Sequence, residues 1–439
     1  MRPVNNRKKS ITKWIALIVG FAVILVAATA FAINLAQDNS DSANEADSDE
    51  NGQVAETDNG DEADESDTTD NGEATEGTDV VEEEEEETFI DIRLSAVGDV
   101  MGHGSQLESA YDAETDTYDF TSVFEDIRPH IEGADIAIAN LETTLAGDSR
   151  PYIGYPLFNT PDAIVDALDY AGFDTIITTN NHSLDTRAEG LRRTVEVIEE
   201  KGLDPVGTFS EAPDSHVFYK DVNGIKIAIL AYTEHLNGLE AQYSDQELNN
   251  MVNMISEERI LADIEEAREA DVDIMVSYLH WGQEYQREPN DYQRHYAELL
   301  TREGVDIILG SHPHVIQPTE FLEVDGNESF VAYSLGNFVS NQRRETLGES
   351  MAPTEDGVVM HIDIQKNEQT GETTVQNVDY TPTWVYRNRH DGNQNYTYRI
   401  LPVEDHMENE EFSEDFRNRM RNSYQETTDR LNLEQPDNE

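Results

Sequence analysis

The sequence predicts an α/β domain of mixed β-sheets flanked by helices, preceded by one transmembrane helix and a disordered acidic linker. Three observations lead to this prediction. Short apolar runs typical of strands recur from residue 92 onward, helical patterns separate several of them, and the composition changes abruptly near residues 37 and 88. The last strands follow one another without helices, which predicts a mixed or antiparallel second part.

Residues 1–37 combine a basic stub with an apolar run. They hold five Lys and Arg and no acidic residue, and the run from Trp14 to Ala36 is long enough to span a bilayer. The upstream positive charges place the N-terminus in the cytoplasm and the following domain outside it. We expect an uncleaved, single-pass membrane anchor. The alternative is a secreted protein with a cleaved signal peptide, because Ala28-Thr29-Ala30 and Ala30-Phe31-Ala32 both fit a small-x-small cleavage site.

Residues 38–88 form a second segment of unusual composition. They hold 23 Asp and Glu and no Lys or Arg, and they contain six consecutive glutamates. Such a segment buries too little apolar surface to offset its ordering entropy, and its charges repel one another. We expect a disordered, extended spacer; a calcium-binding acidic run is the alternative.

Charge and cysteine content exclude several classes of function. The chain has a formal net charge of −63, and residues 89–439 still hold 69 acidic against 24 basic residues. Nucleic acid is therefore an unsuitable partner, since its binding requires Lys and Arg to neutralise phosphates. There is no cysteine, so disulfides, thiolate metal sites and cysteine nucleophiles are excluded. Acidic surfaces keep halophilic proteins soluble, and we hypothesise a salty, extracytoplasmic environment.

The predicted elements of the domain alternate from residue 89 to about 385, and residues 386–439 form a partly helical C-terminal extension. The predicted strands are 92–97, 136–139, 175–178, 227–231, 274–278, 307–309, 331–334 and 358–364. The predicted helices are 161–171, 187–201, 256–270 and 291–303. Thr160 and Pro161 supply the start signal of the first helix, and Gly172 supplies its stop signal.

Polar residues follow nearly every predicted strand, where α/β sheets bind their ligands. Taken singly, each has a plain interpretation: a turn or cap residue for Asp99, a turn residue for Asn181, and a packed core residue for His280. The pair His312 and His314 would face opposite ways in an extended segment, so a turn must redirect them. As a set these residues predict one site: Asp99, His103, Glu142, Asn181, His182, Asp185, His280, His312, His314 and Asn337.

Six motifs in residues 92–345 carry a family resemblance. They are Gly98-Asp99-Val100-Met101, Asn140-Leu141-Glu142, Asn181-His182-Ser183-Leu184-Asp185, His280-Trp281-Gly282-Gln283-Glu284-Tyr285, Gly310-Ser311-His312-Pro313-His314-Val315 and Ser334-Leu335-Gly336-Asn337-Phe338. In this order they resemble the CapA family of poly-γ-glutamate capsule biosynthesis proteins. That family is similar to the calcineurin-like metallophosphoesterases, whose sandwich fold the resemblance implies.

The resemblance implies a site that holds two divalent metal ions. Asp99, His314 and a bridging Glu142 would bind one ion, and Asn181, His280 and His312 would bind the other. His182 would protonate the leaving group, with Asp185 orienting it. Oxygen and nitrogen donors suit Mn, Fe or Zn.

This sequence departs from the superfamily pattern at two positions. The usual Asp-x-His of the first strand is absent, and His103 is a candidate replacement. A glutamate, Glu142, stands where an aspartate usually bridges the metals. Glu284 and Asn337 are candidate substrate or supporting groups, and Asn337 has the alternative of a simple turn residue.

The resemblance implies a membrane-anchored protein of poly-γ-glutamate synthesis or export, with metal-dependent hydrolase activity on a phosphoester or on the anionic polymer. The alternative is a non-catalytic accessory subunit of the synthesis and export complex. An acidic domain repels a polyanion, so polymer binding would depend on local cations: the metals, Arg187, or the pair Arg343 and Arg344.

Overall fold

Two mixed β-sheets packed face to face, with helices on both outer faces, make up the part of the chain that the structure describes. That part is residues 87–389 and 395–433 of a computed structural model. The strands are β1 (Phe89–Val100), β2 (Tyr111–Asp112), β3 (Thr117–Tyr118), β4 (Ile136–Leu141), β5 (Thr175–Ile177), β6 (Asp204–Val206), β7 (Phe218–Val222), β8 (Ile225–Thr233), β9 (Ile274–His280), β10 (Ile307–Ser311), β11 (Thr319–Val324), β12 (Asn327–Ala332), β13 (Asn337–Val339), β14 (Asp356–Asn367), β15 (Thr373–Asn388) and β16 (Thr397–Pro402). The predicted class, α/β with mixed sheets, is confirmed.

The helices lie mostly between the parallel strands. They are α1 (Gly104–Ala110), α2 (Thr121–Phe124), α3 (Ala163–Ala171), α4 (Arg187–Glu200), α5 (Asp245–Asn249), α6 (Glu257–Glu269), α7 (Asp291–Arg302), α8 (Arg344–Leu347), α9 (Val403–His406) and α10 (Glu414–Leu431). The four predicted helices correspond to α3, α4, α6 and α7.

The first sheet has the strand order β16-β15-β14-β1-β4-β5-β6, and β13 pairs with the end of β1. Strands β1, β4, β5 and β6 run parallel, whereas β14, β15 and β16 are antiparallel to their neighbours. The second sheet has the order β11-β12-β10-β9-β8-β7, in which β8, β9, β10 and β12 are parallel. Parallel strands end on the same side, so each sheet offers a row of carboxyl ends to a ligand.

The core lies in three apolar layers. The inner faces of the two sheets pack on each other through residues such as Leu94, Ile138, Ile229 and Val276, which are completely buried. Helices α2, α3 and α4 cover the outer face of the first sheet. Helices α6 and α7 cover the outer face of the second sheet. These layers account for the near-continuous apolar character of β4 and β9, which are buried on both faces.

The C-terminal residues continue the first sheet. The expected boundary at residue 385 falls inside β15, and β16 pairs with that strand. Helix α10 packs on the outer side through Met420, beside the buried Trp384 and Leu401. Segment 386–433, where it is described, therefore shares the core of the domain.

Some predicted boundaries differ from the structure. The first helix begins at Ala163, because the Thr160 hydroxyl bonds to Thr143 and Asp162 occupies the N-cap position. The strand expected at 331–334 spans Asn327–Ala332. Short strands such as β6 and β13 are held by pairing with their neighbours, and their three residues carry no periodic pattern.

The predicted membrane anchor, residues 1–37, and nearly all of the predicted linker, residues 38–88, lie outside the described residues. In the ranges that are described, none of the helices is long and apolar enough to cross a bilayer.

Candidate metal centre

The carboxyl ends of strands from both sheets meet at one point and bring six predicted ligands together. Asp99 is the second-to-last residue of β1, and Glu142 directly follows β4. Asn181 lies in the loop after β5, His280 ends β9, and the segment with His312 and His314 follows β10. The relative exposure of each of these six residues is 4% or less. Each sheet contributes three of the six.

Glu142 occupies the middle of this cluster. Its Oε1 lies 3.8 Å from Nε2 of His182, 3.8 Å from Nε2 of His280 and 3.7 Å from Nε2 of His314. Neither carboxylate oxygen has a hydrogen-bond partner, although both are buried. Burial, and then the charge of Asp99, raise the pKa of Glu142 well above its usual range. A buried carboxylate without partners is stable only when it is protonated or when a cation neutralises it.

Asp99 and His314 form one side of the cluster. The His314 Nδ1 atom lies 3.0 Å from Asp99 Oδ2 and 3.1 Å from Asn337 Oδ1. Burial acts to lower the pKa of His314, but the hydrogen bond and charge of Asp99 outweigh it and raise that pKa. One ligand atom each from Asp99, Glu142 and His314 lie within 4.8 Å of one another, which is close enough to hold a metal ion.

His280, His312 and Asn181 form the other side. Nε2 of His280 lies 3.1 Å from Asn181 Oδ1 and 3.1 Å from His312 Nδ1. Burial, and then the neighbouring histidines, lower the pKa of His280 and His312 well below the usual range. Both imidazoles are therefore neutral near pH 7, which is the form that binds a metal.

The turn predicted at His312 and His314 is present. His312 has a φ of 98° and His314 a φ of 58°, so both backbones adopt a conformation that L-residues rarely take. The two ring centroids lie 6.0 Å apart on the same side of the chain. Backbone strain of this kind persists only where the surroundings enforce it, and it concentrates at functional sites.

The two strand ends on either side of the site approach their neighbours so closely that only glycine fits. A Cβ atom on Gly98 would lie 2.0 Å from the carbonyl oxygen of Gly336, and one on Gly310 would lie 2.1 Å from the carbonyl oxygen of Tyr333. These glycines precede Asp99 and the His312 turn, so they set the depth at which the ligands lie.

His182 and Asp185 form the predicted pair beside the cluster. The His182 Nδ1 atom lies 2.7 Å from Asp185 Oδ2, and the same oxygen accepts the backbone N–H of Phe158 at 2.7 Å. Burial raises the pKa of Asp185, and its hydrogen bond to His182 opposes that shift. The contact with Asp185 holds the ring so that its Nε2 atom faces Glu142.

Comparison with known proteins decides the family. The family model for bacterial capsule synthesis proteins, PGA_cap, matches residues 93–342, a range that contains every predicted site residue. The chain belongs to this family. PGA biosynthesis protein CapA of Bacillus subtilis is 30% identical over 304 residues, which covers 67% of this chain and 73% of that protein. Capsule biosynthesis protein CapA of Bacillus anthracis is 27% identical over 258 residues, which covers 57% of this chain and 60% of that protein.

Among solved structures, the calcineurin-like phosphoesterase YfkN of Bacillus subtilis aligns with 77% of this chain and 99% of that chain, at 14% identity and a TM-score of 0.40. The NAD nucleotidase of Haemophilus influenzae aligns with 77% of this chain and 56% of that chain, at 12% identity and a TM-score of 0.42.

A cavity of about 340 Å³ opens onto the cluster of candidate metal ligands of this PGA_cap protein, and His103, His182, Glu284 and His314 are among its lining residues. The His103 Nδ1 atom lies 3.2 Å from Gln106 Oε1 and 3.3 Å from the backbone nitrogen of Asn341. His103 does not belong to the group of Asp99, Glu142 and His314, whose ligand atoms lie within 4.8 Å of one another. Glu284 is exposed on the rim.

Asn337, a candidate turn residue, is instead completely buried in this PGA_cap protein. Its Oδ1 contacts His314, and its Nδ2 donates to the carbonyl oxygens of His314 and Thr354. It therefore fixes the orientation of the His314 ring.

Several residues of the site were not among the predicted ones. Asn140 Nδ2 donates to Asp99 Oδ1 at 2.8 Å, and Ser311 Oγ lies 3.0 Å from His280 Nδ1, so both orient predicted ligands. His235 follows β8, and its ring packs edge-on against His312 at 5.1 Å. Its position after a strand is the same signal that identified the predicted ligands, so the sequence could have pointed to His235 as well.

Arg343 and Arg344, one of the candidate cationic groups for polymer binding, are both paired with carboxylates of the fold. Arg343 is 1% exposed, and its guanidinium contacts Glu345 and the carbonyl oxygen of Val385. Arg344 pairs with Glu355 and Glu349. Both arginines are therefore neutralised by carboxylates within the fold of this PGA_cap protein.

Proposed function

We propose that this protein is a metal-dependent hydrolase of phosphoesters that serves capsule biosynthesis. One observation carries the proposal: both carboxylate oxygens of Glu142 are buried without partners, and Oε1 lies 3.7 to 3.8 Å from three imidazole Nε2 atoms. Donors that surround a carboxylate at this distance, yet do not bond to it, leave room for a cation between them. The donor set, oxygen and nitrogen only, suits Mn, Fe or Zn.

The residues fit two divalent ions. Asp99, Glu142 and His314 would hold one, and Asn181, His280 and His312 would hold the other with Glu142 shared between them. Two bound ions would supply a hydroxide at neutral pH and would neutralise charge on the phosphoryl oxygens. Asn140, Ser311 and Asn337 hold Asp99, His280 and His314 in place for this role.

His182 is the group placed to move a proton. In hydrolysis the oxygen of water bonds to phosphorus, the bond from phosphorus to the leaving oxygen breaks, and that oxygen takes up a proton. Nδ1 of His182 is held by Asp185 at 2.7 Å, which leaves Nε2 on the cavity side. His182 Nε2 would donate this proton and regain one from solvent. Asp185 keeps the ring in orientation.

We propose that the domain acts outside the cytoplasm on a membrane anchor. The sequence of residues 1–37, basic and then apolar, supports this, as does the acidic composition of residues 38–88. The relatives are named as PGA and capsule biosynthesis proteins, which supports a place beside the complex that makes or exports the polymer.

Elemental analysis and a phosphoester assay test this function. We expect two metal ions per chain, Mn²⁺-dependent hydrolysis, and loss of at least about a hundredfold of the rate in His182→Ala with the metal content unchanged. Tyr219→Ala, an exposed tyrosine on β7, is the control for substitution as such. Failure to bind metal even after loading would overturn the proposal.

A non-catalytic accessory role is the second candidate, and the first strand favours it. Asp99 is followed by Val100 and Met101, neither of which can bind a hard divalent ion as the usual histidine does. This candidate predicts metal without turnover. It also predicts that cells carrying His182→Ala still produce polymer at the normal level, whereas the hydrolase proposal predicts that they do not.

A further inference from the structure

The mouth of the cavity above the metal-ligand cluster has a chemistry of its own, which the hydrolase proposal does not use. Tyr155, Tyr285 and Leu347 give it apolar and aromatic surface, and Asn341, Gln342 and Glu284 give it polar groups. A largely apolar cavity with a few oriented polar groups is typical of a site for a specific small molecule.

Tyr155 is an exposed aromatic ring at a fixed position. It lies at the tip of a hairpin, residues 153–159, that is closed by two backbone hydrogen bonds between Ile153 and Asn159. A Cβ atom on Gly154 would lie 2.8 Å from Cα of His103, so the tip rests directly on the wall of the site. The ring of Phe158 packs against His182 with a centroid distance of 4.7 Å.

The Tyr155 side chain nevertheless remains 76% exposed, more than any other large hydrophobic residue in the described chain. Most tyrosines that border a packed hairpin bury their rings, because burial of aromatic surface is favourable. An exposed ring on a backbone held beside His182 is therefore a surface on which a flat ligand can pack.

Two amide groups at the same mouth are oriented with their donors free. Asn341 Oδ1 accepts from Arg387 Nη1 at 2.8 Å and from Tyr398 Oη at 2.7 Å, which fixes the amide and leaves Nδ2 for a ligand. Gln342 Oε1 accepts from Asn337 Nδ2 at 3.3 Å, which leaves its Nε2. Among the hydrogen bonds of the described residues, none engages Asn341 Nδ2 or Gln342 Nε2. Glu284 supplies the acceptor.

The charges at the mouth disfavour a second anionic group on the ligand, beyond a phosphoryl group at the metal cluster. Among the described residues that line the cavity there is no Lys or Arg, and Glu284 is a carboxylate. Arg343 and Arg344 directly follow the lining residues Asn341 and Gln342 in sequence, but they already pair with Glu345 and Glu355. A polymer of glutamate would bring its carboxylates beside Glu284, whereas the Arg387 guanidinium behind Asn341 is largely buried and already faces Glu345.

We infer that this cavity selects phosphoesters whose alcohol portion is an uncharged ring with hydrogen-bonding groups at its edge. The inference rests on the proposed hydrolase function and adds the substrate class. The phosphoryl group would lie at the metal cluster, the ring would pack on Tyr155, and its edge would accept hydrogen bonds from Asn341 and Gln342 and donate one to Glu284. A sugar and a nucleoside share this chemistry.

Steady-state kinetics of the Mn²⁺-loaded protein test the inference with four probes: glucose 6-phosphate, a nucleoside 5′-monophosphate, glycerol 1-phosphate, and a phosphoserine peptide rich in glutamate. We expect kcat/KM for at least one ring substrate to exceed that for glycerol 1-phosphate by about tenfold or more, with the acidic peptide lowest. The first two probes distinguish a sugar from a nucleoside.

Variants of Tyr155 separate ring packing from a general effect. In Tyr155→Ala the ratio of ring to acyclic kcat/KM should fall about tenfold, chiefly through KM, whereas Tyr155→Phe keeps the ring and should keep the ratio. The distant Tyr219→Ala is the control. Equal ratios in Tyr155→Ala and wild type, or a preference for the acidic peptide, would overturn the inference while the hydrolase function stands. If no phosphoester is hydrolysed by metal-loaded protein, the hydrolase proposal fails and the inference falls with it.

Discussion

Replacing Glu142 with glutamine should stabilise the metal-free protein and should reduce the stabilisation that metal gives. Its carboxylate oxygens are buried without partners, and burial, followed by the charge of Asp99, raises its pKa well above the ordinary value of 4.5. Without metal, the folded protein keeps a proton on Glu142 at pH values where the unfolded chain has lost it. Glutamine has nearly the same shape and takes up no proton, so the substitution removes this cost.

The size of the effect follows from the direction of the pKa shift. A carboxyl group whose pKa is raised by folding makes the folded state bind more protons than the unfolded state, so stability falls as the pH rises above the unfolded pKa. Until the folded pKa is reached, the loss is about 1.4 kcal/mol per pH unit. The free energy of unfolding of Glu142→Gln minus that of the wild type should rise by this amount per unit above pH 4.5 in EDTA.

Metal reduces this advantage of glutamine, because binding requires the ionised carboxylate. A cation at a hundred times its dissociation constant stabilises the folded protein by about 2.7 kcal/mol. Glutamine is a weaker, neutral ligand, and a tenfold loss of affinity removes about 1.4 kcal/mol of that gain. Urea unfolding followed by circular dichroism, in EDTA and in Mn²⁺, measures both terms over a range of about pH 5 to 8.

Glu355→Gln is the matched control. Glu355 is equally buried, but its oxygens accept from Arg344 Nε at 2.8 Å and from Trp384 Nε1 at 3.2 Å. Its replacement should destabilise the protein by about 1.5 to 3 kcal/mol with or without metal. The reasoning is refuted if Glu142→Gln is less stable than the wild type in EDTA over the whole range, or if Mn²⁺ stabilises both proteins equally.

Three further predictions concern other parts of the molecule. Asp185→Asn should lower kcat about tenfold to a hundredfold and spare metal content, because Asp185 holds His182 and the Phe158 backbone and is not itself a candidate ligand; an unchanged kcat, or lost metal, would contradict this. Gly98→Ala should destabilise the protein by about 1 to 3 kcal/mol in urea unfolding, since its Cβ would meet the Gly336 carbonyl at 2.0 Å. Gly133→Ala, where no atom lies within 4 Å of the added Cβ, should change stability by less than about 1 kcal/mol. The melting temperature should rise between low and molar NaCl, because salt screens the repulsion within a chain of net charge −63; a fall would refute the halophilic hypothesis.

Local signals in the sequence predicted the class of the fold and the strand ends that carry ligands. The apolar runs before Asp99, His280 and His312 are short and bounded by polar residues, and such runs identify buried strands without knowledge of their neighbours. The redirecting turn at His312 and His314 followed from the alternation of side chains in an extended chain. What these signals could not give is which strands pair, since pairing joins residues far apart in sequence.

The features that sequence did not reveal depend on such distant contacts. The hairpin that presents Tyr155 has no periodic pattern, and its position is set by contacts with His103 and His182. Arg343 looks like a solvated loop residue until the fold buries it beside Glu345. Asn140 and Ser311 were close in sequence to predicted ligands, but their orienting role depends on strand pairing, which places Asn140 beside Asp99 and Ser311 beside His280.

The even division of the candidate ligands between the two sheets has a consequence for how the domain holds together. Asp99, Glu142 and Asn181 come from one sheet, and His280, His312 and His314 come from the other. Each ion would therefore be a removable cross-link between the sheets, in a chain that has no cysteine to form a disulfide. Loading the site should slow amide hydrogen exchange at the carboxyl ends of β1, β4, β9 and β10 together, and a chelator should release all four at once. The supply of metal would then govern the lifetime of the folded domain as well as its chemistry.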